Sequence, residues 1–312
     1  MRGARTTVAG ISEIRLTLFF SVLLVQMAGF VAVSWITGIS FLALLIPYMF
    51  TPMVAALVVC YRDGISLSTV GLRLGRVRWL LVSVVIVFPI VALVTAVSVT
   101  VPGIAFDPTA SDVPEIDLTA GISDLLPLFG VLLLAALTVN ALTAFGEEFG
   151  WRGYLVWELA PLGFWKASFL IGAVWGLWHT PGLVAGHNYP SFPYLGILMM
   201  TLVCTLWGPL YTYLVVRAGS VLPAALFHGV FNAFAISMAF TATTSPVLGE
   251  LVASEVGVAG LVVFGLIAAA IWVTGTPELS RGFAGGERRF SETPHHAAAD
   301  LRERSEITGD AK

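Results

Sequence analysis

Eight stretches of the chain run 17 to 22 residues with few polar positions: 16–36, 41–60, 80–101, 125–145, 168–184, 195–216, 222–240 and 256–273. About 20 mostly apolar residues cross the roughly 30 Å of bilayer hydrocarbon as an α-helix. Barrel strands would be shorter and would alternate strictly between apolar and polar, and no such alternation is present. The pattern predicts an all-α, polytopic membrane protein of about eight transmembrane helices. The fourth stretch stays compatible with a helix to about Leu159. The first follows Arg2, Arg5 and Arg15 and is longer than the 7–15 residues of a signal-peptide core, so it is read as a retained span.

Composition agrees. Of 312 residues, 57% are hydrophobic and 11% charged, with a mean hydropathy of +0.91. Thirteen of the 35 charged residues fall in 276–312, leaving 22 for the first 275. A water-soluble globule cannot cover its surface with so few. A cytosolic enzyme, a nucleic-acid binder and a disordered chain are excluded. The division expected is a membrane-embedded helical domain over 1–275 and a disordered cytoplasmic tail over 276–312 that is too poor in apolar runs to build a core. His295 and His296 in that tail read as solvated. Cys60 and Cys204 sit in apolar runs and read as small buried hydrophobes.

Lys and Arg in short loops set orientation. Loop 61–79 holds Arg62, Arg73, Arg76 and Arg78; Lys166 and Arg217 lie in two further short loops. With eight spans all of these fall on one side, with both termini. Loop 102–124 holds Asp107, Asp112, Glu115, Asp117 and Asp124 and no basic residue. Both termini are therefore expected in the cytoplasm of a multi-pass cell-membrane protein.

Polar groups inside such spans are costly and usually functional. Three clusters stand out. In Phe145-Gly146-Glu147-Glu148-Phe149-Gly150-Trp151-Arg152-Gly153, Glu148 and Arg152 are i,i+4 partners on a helix. Glu147 is left without a local cation, in an apolar setting suited to a general base. The glycines thin the helix so that another backbone can approach. In Trp175-Gly176-Leu177-Trp178-His179-Thr180-Pro181, His179 lies deep in the fifth span and Pro181 should weaken the helix just after it. In His228-Gly229-Val230-Phe231-Asn232, His228 and Asn232 are i,i+4 and share one face. Together they can hold an oxyanion or a water. A glutamate and a histidine activating water, with a histidine and an asparagine stabilising developing charge, is the chemistry of amide or ester hydrolysis in a membrane cavity. From their positions along the spans, this cavity is expected to open toward the cytoplasm. His187, in a loop, reads as a surface residue.

The order and spacing of these motifs resemble those of the CPBP family of intramembrane proteases, the CAAX-processing endopeptidases and bacteriocin-processing or immunity proteins. The likeness covers about residues 125–240, and Trp175 stands where the family usually has Phe. The resemblance implies that Glu147 and His179 activate the hydrolytic water, that His228 and Asn232 form the oxyanion site, and that Glu148 and Arg152 fix the geometry. The implied substrate is a membrane-bound peptide or protein, with the CAAX-prenylated class as one candidate. Glu147, His179 and His228 could ligate Zn²⁺. Asn232, a poor zinc ligand and a good donor, favours a metal-free glutamate mechanism. The chain lacks the His-Glu-x-x-His of zinc enzymes and the Gly-x-Ser-Gly of rhomboids, and its Gly309-Asp310 lies in the tail. Two other functions fit intramembrane Glu, His and Arg: a proton-coupled transporter, and a non-catalytic bacteriocin immunity protein of the same fold.

Overall fold

The structure, a computed structural model, describes residues 10–107, 122–235 and 241–285. Each of the eight apolar stretches holds a helix. They are α1 (Glu13–Thr37), α2 (Phe41–Asp63), α3 (Arg78–Ser98), α4 (Leu126–Leu162), α5 (Phe164–Trp178) with the short α6 (Thr180–Val184), α7 (Pro193–Ala218), α8 (Leu222–Phe234) and, after a short α9 (Pro246–Leu251), α10 (Val258–Thr274). Five of these, α1 to α4 and α7, are long and apolar enough to cross a membrane; α8 and α10 are shorter apolar helices. The only strands among the described residues are Ile104–Phe106 and Thr241–Thr243, paired antiparallel with Ile104 opposite Thr243. The all-α membrane architecture is as expected.

Large apolar side chains point outward as well as inward. Val25, Trp272 and Val273 are each more than 70% exposed. In water such a surface would aggregate; against lipid it is the solvated face. The helices end where the sequence dictates. The Ser12 side chain accepts the Arg15 amide at the start of α1, and Gly38, at φ 70°, closes it in the left-handed region that an L side chain enters only at a cost.

The helices define two ends. One carries the first described residues, the loops 64–77, 160–163 and 219–221, and the segment after Thr274. Glu158, fully buried near the end of α4, ties this terminal end together. Its carboxylate accepts the Ser12 amide at 2.7 Å, Arg15 Nε at 2.7 Å and Arg281 Nη2 at 2.9 Å. The Arg15 and Arg281 guanidinium carbons lie 5.3 and 4.7 Å from the centroid of the Trp157 ring. Glu158→Ala is expected to lower stability by about 1–3 kcal/mol, because the half-buried Ser12 amide loses its acceptor while both arginines, partly exposed, can turn to water. Thermal unfolding in detergent reads this directly.

Composition places residues 276–285 in the tail. Instead they pack on this end, with Leu279, Phe283 and Ala284 buried and the Arg73 guanidinium donating to the Ala284 carbonyl. Their spaced apolar side chains and Arg281 supply these contacts. Residues 286–312, with His295 and His296, lie outside the described residues.

The opposite end carries the turn 38–40, the strand pair, the loop 185–192 and the segment around α9. Ser191 donates its amide at 3.0 Å and its hydroxyl at 2.5 Å to Glu250, and the Tyr189 hydroxyl donates to the Val256 carbonyl at 2.6 Å.

Candidate active site

α4 runs unbroken past the end of the apolar stretch read from sequence. It widens to π-helical turns at Ala136–Asn140 and Phe149–Leu155. Such local widenings recur at functional sites because they re-aim side chains within one helix. Glu147 and Glu148 sit between the two, both buried. About 15 residues separate Glu147 from the terminal end of α4, or about 22 Å at the α-helical rise. It therefore lies in the middle of the helix and not near the terminal end.

Close backbone contacts hold α4 in place. A Cβ on Gly150 would sit 2.6 Å from the Pro52 carbonyl carbon of α2. One on Gly229 would sit 2.5 Å from the amide nitrogen of Ala141, where α8 crosses α4. The thinning expected of the glycines around Glu147 is present. Gly229→Val has only backbone to displace. It is expected to cost about 1–3 kcal/mol and to pull His228 away from Glu148. A fall in thermal unfolding temperature, with normal membrane insertion, is the readout.

Glu148 and Arg152 form the expected i,i+4 ion pair, Nη1 to Oε1 at 3.1 Å, both side chains buried. The same Oε1 accepts Nδ1 of His228 at 2.8 Å. The guanidinium of Arg152 is held between two rings, 4.1 Å from the Trp175 centroid and 4.3 Å from that of Tyr211. Stacking of this kind suits Arg, whose planar cation is weakly hydrated. Tyr211 escaped sequence reading because an aromatic in an apolar span looks like packing; only its cation partner gives it away.

Glu147 points elsewhere. Its Oε2 accepts the indole N–H of Trp175 at 2.6 Å, leaving Oε1 for another donor. Trp175 thus touches both parts of the site, with its ring centroid 5.5 Å from that of His179 and 5.4 Å from that of His228. The motif's first aromatic is therefore a hydrogen-bond donor in this chain, a contact that phenylalanine could not make.

His179 stands at the break between α5 and α6, as Pro181 predicts. Its Nδ1 lies 2.8 Å from the Trp175 carbonyl oxygen. A carbonyl only accepts, so Nδ1 carries the proton and Nε2 is the open nitrogen. The same logic gives His228 a protonated Nδ1 facing Glu148. Behind His179, Tyr48 stacks on Trp178 with ring centroids 4.5 Å apart, and its hydroxyl donates to the Trp178 carbonyl at 2.8 Å.

Glu147, His179, His228 and Asn232 all line a single cavity of about 440 Å³. His228 and Asn232 face it together, as their spacing predicts. Apolar and aromatic walls come from Leu45, Met49, Trp207 and Phe231. The remaining wall comes from the loops at 182–188 and 254–256, at the end of the molecule away from the termini. No residue of the terminal-end loops lines it. The cavity is not lined from the side of the termini, where it was expected, because α4 continues to Leu162 and sets Glu147 far from that end. His187 is half-buried in the cavity wall and not on the open surface, since the loop folds back over the break at His179. Burial lowers the His187 pKa from its ordinary value, which favours the uncharged ring.

Glu147, His179 and His228 are the side chains that could hold Zn²⁺. One Glu147 oxygen and both Nδ1 atoms are already engaged. Among the described residues, no three His, Cys, Asp or Glu side chains come together at metal-ligand spacing.

Comparison with known proteins falls on the same stretch. Residues 129–234 match the family model for type II CAAX prenyl endopeptidase Rce1-like proteins. A curated protein named CAAX prenyl protease 2, from Methanococcus maripaludis, is 30% identical over 141 residues, which is 40% of this chain and 46% of that protein. The chain thus spans less than half the length of the relative it matches. Over residues 129–234, which hold every motif residue, the chain matches the Rce1-like CAAX prenyl endopeptidase family, and the resemblance read from the motifs is borne out.

Proposed function

We propose that the chain is an intramembrane endopeptidase that hydrolyses peptide bonds of membrane-associated substrates through a water activated by Glu147 and His179. The observation that carries this reading is the convergence of Glu147, His179, His228 and Asn232 on one cavity with apolar walls.

The division of labour follows from the partners. Glu147, fixed by the Trp175 N–H, has one oxygen free to orient and deprotonate water. His179, with Nδ1 on a carbonyl, presents Nε2 to the second hydrogen of the same water and orients it, and the proton taken up by Glu147 passes to the leaving amine. The water oxygen bonds to the scissile carbonyl carbon, the C–N bond breaks, and the amine departs protonated. The carbonyl oxygen, negative in the tetrahedral intermediate, meets the Asn232 amide and Nε2–H of His228. For His228 to donate there, both its nitrogens must carry protons. Glu148 against Nδ1 supplies the counter-charge. Arg152 balances Glu148 and, clamped between two rings, keeps the pair from turning toward Glu147.

The Methanococcus relative is named for prenylated CAAX ends, one candidate substrate class, and the side on which the cavity opens decides for or against it. The test compares membrane-derived peptides from cells carrying wild type, Glu147→Ala and His179→Ala at equal membrane levels. Peptides present with wild type and lost in both variants are the expected result. Identical peptide sets would remove the proposal.

A further inference from the structure

Every Lys and Arg among the described residues, except the buried Arg152, lies at the terminal end: Arg15, Arg62, Arg73, Arg76, Arg78, Lys166, Arg217 and Arg281. The four connections of the other end, 38–40, 99–125, 179–192 and 235–257, contain no Lys or Arg at all. Asp107, Glu250 and Glu255 lie there instead. Asymmetry of this size orients a polytopic protein with its basic loops in the cytoplasm. The membrane potential, negative inside, opposes the reverse arrangement for each cation carried across.

The cavity belongs to the other end. Its wall takes Leu45 and Met49 from the start of α2, Gly182, His187 and Asn188 from beyond the break at His179, and Ser254 to Val256 from the loop before α10. We infer that the cavity opens to the extracytoplasmic side and that its substrate is a peptide segment presented there, at the outer leaflet or on an exported or membrane-inserted chain, and not a cytosolic C-terminus. Two independent patterns meet in this inference: the distribution of charge over the loops and the placement of the cavity wall. The substrate half rests on the hydrolytic reading above; the orientation half does not.

The test uses the full chain with Cys60→Ala and Cys204→Ala, both native cysteines being buried and free. Single cysteines are then placed at Ala185→Cys in the exposed loop, at Leu45→Cys in the cavity wall and at Lys166→Cys on the exposed terminal end. The probe is a small membrane-impermeant maleimide. Intact cells should label the first two and leave Lys166→Cys unlabelled, and inverted vesicles should give the opposite. Labelling of Lys166→Cys on intact cells, with Leu45→Cys protected, would overturn the inference. If the cysteine-free chain fails to insert, a green fluorescent reporter fused behind Lys312 of the native chain decides the same point: fluorescence supports the orientation, and its loss, with a phosphatase fused there becoming active, overturns it. Cut sites of peptides lost in Glu147→Ala should map to extracytoplasmic segments, and cut sites in cytosolic tails would overturn the substrate half. Expected labelling without any change in peptides would instead count against hydrolysis and leave the orientation standing.

Discussion

Glu147→Gln is expected to lower cleavage by about 10²–10⁴-fold while leaving insertion and thermal stability near those of the wild type. The substitution keeps the size of the side chain, and the amide oxygen can still accept the Trp175 N–H. What is lost is the capacity to take a proton from water. A buried glutamine beside the indole costs little, because it exchanges one acceptor for another. If Glu147 served only packing, the glutamine variant would stay active, and that outcome is measured in the same assay. His179→Ala should fall in the same range, but with a small loss of stability, since the Trp175 carbonyl is left without its partner.

Arg152→Ala is expected to destabilise the protein by about 3–5 kcal/mol, the largest effect on folding of any single change at the site. The cation is buried against Glu148, and its removal leaves a buried carboxylate with only His228 to balance it. It also empties the space between the Trp175 and Tyr211 rings. Trp175 is the donor that fixes Glu147, so activity should fall further than stability alone explains. Arg152→Lys should recover part of the folding but little of the rate, because an ammonium cannot fill a flat slot between two rings. Denaturation in detergent, followed by activity of the folded fraction, separates the two effects.

Much of this was legible beforehand. All eight apolar stretches hold helices, since lipid demands long apolar runs with satisfied backbones. Glu148 with Arg152, and His228 with Asn232, were readable because helical periodicity alone places them together. The break at His179 followed from Pro181. The contacts between helices were not readable. Nothing in the chain says that the Trp175 N–H reaches Glu147, or that His228 finds Glu148 across 80 positions. Glu158 gave no signal because its partners, Ser12, Arg15 and Arg281, lie at both extremes of the chain. The side on which the cavity opens depended on α4 running on to Leu162. The pattern stays helix-compatible to about Leu159, but the apolar span ends at 145, and depth counted from that end sets Glu147 too near the termini.

The central claim is that Glu147 and the two imidazoles share one hydrated pocket beneath the lipid surface. An experimental structure of the wild-type chain in a lipid nanodisc, at a resolution that shows ordered water, tests it most directly. A water bound by Glu147 Oε1 and by Nε2 of His179, with Asn232 and His228 Nε2 on the facing wall, is the predicted result. A Glu147 carboxylate turned to the acyl chains, or parted from both imidazoles by more than one bridging water, would contradict it.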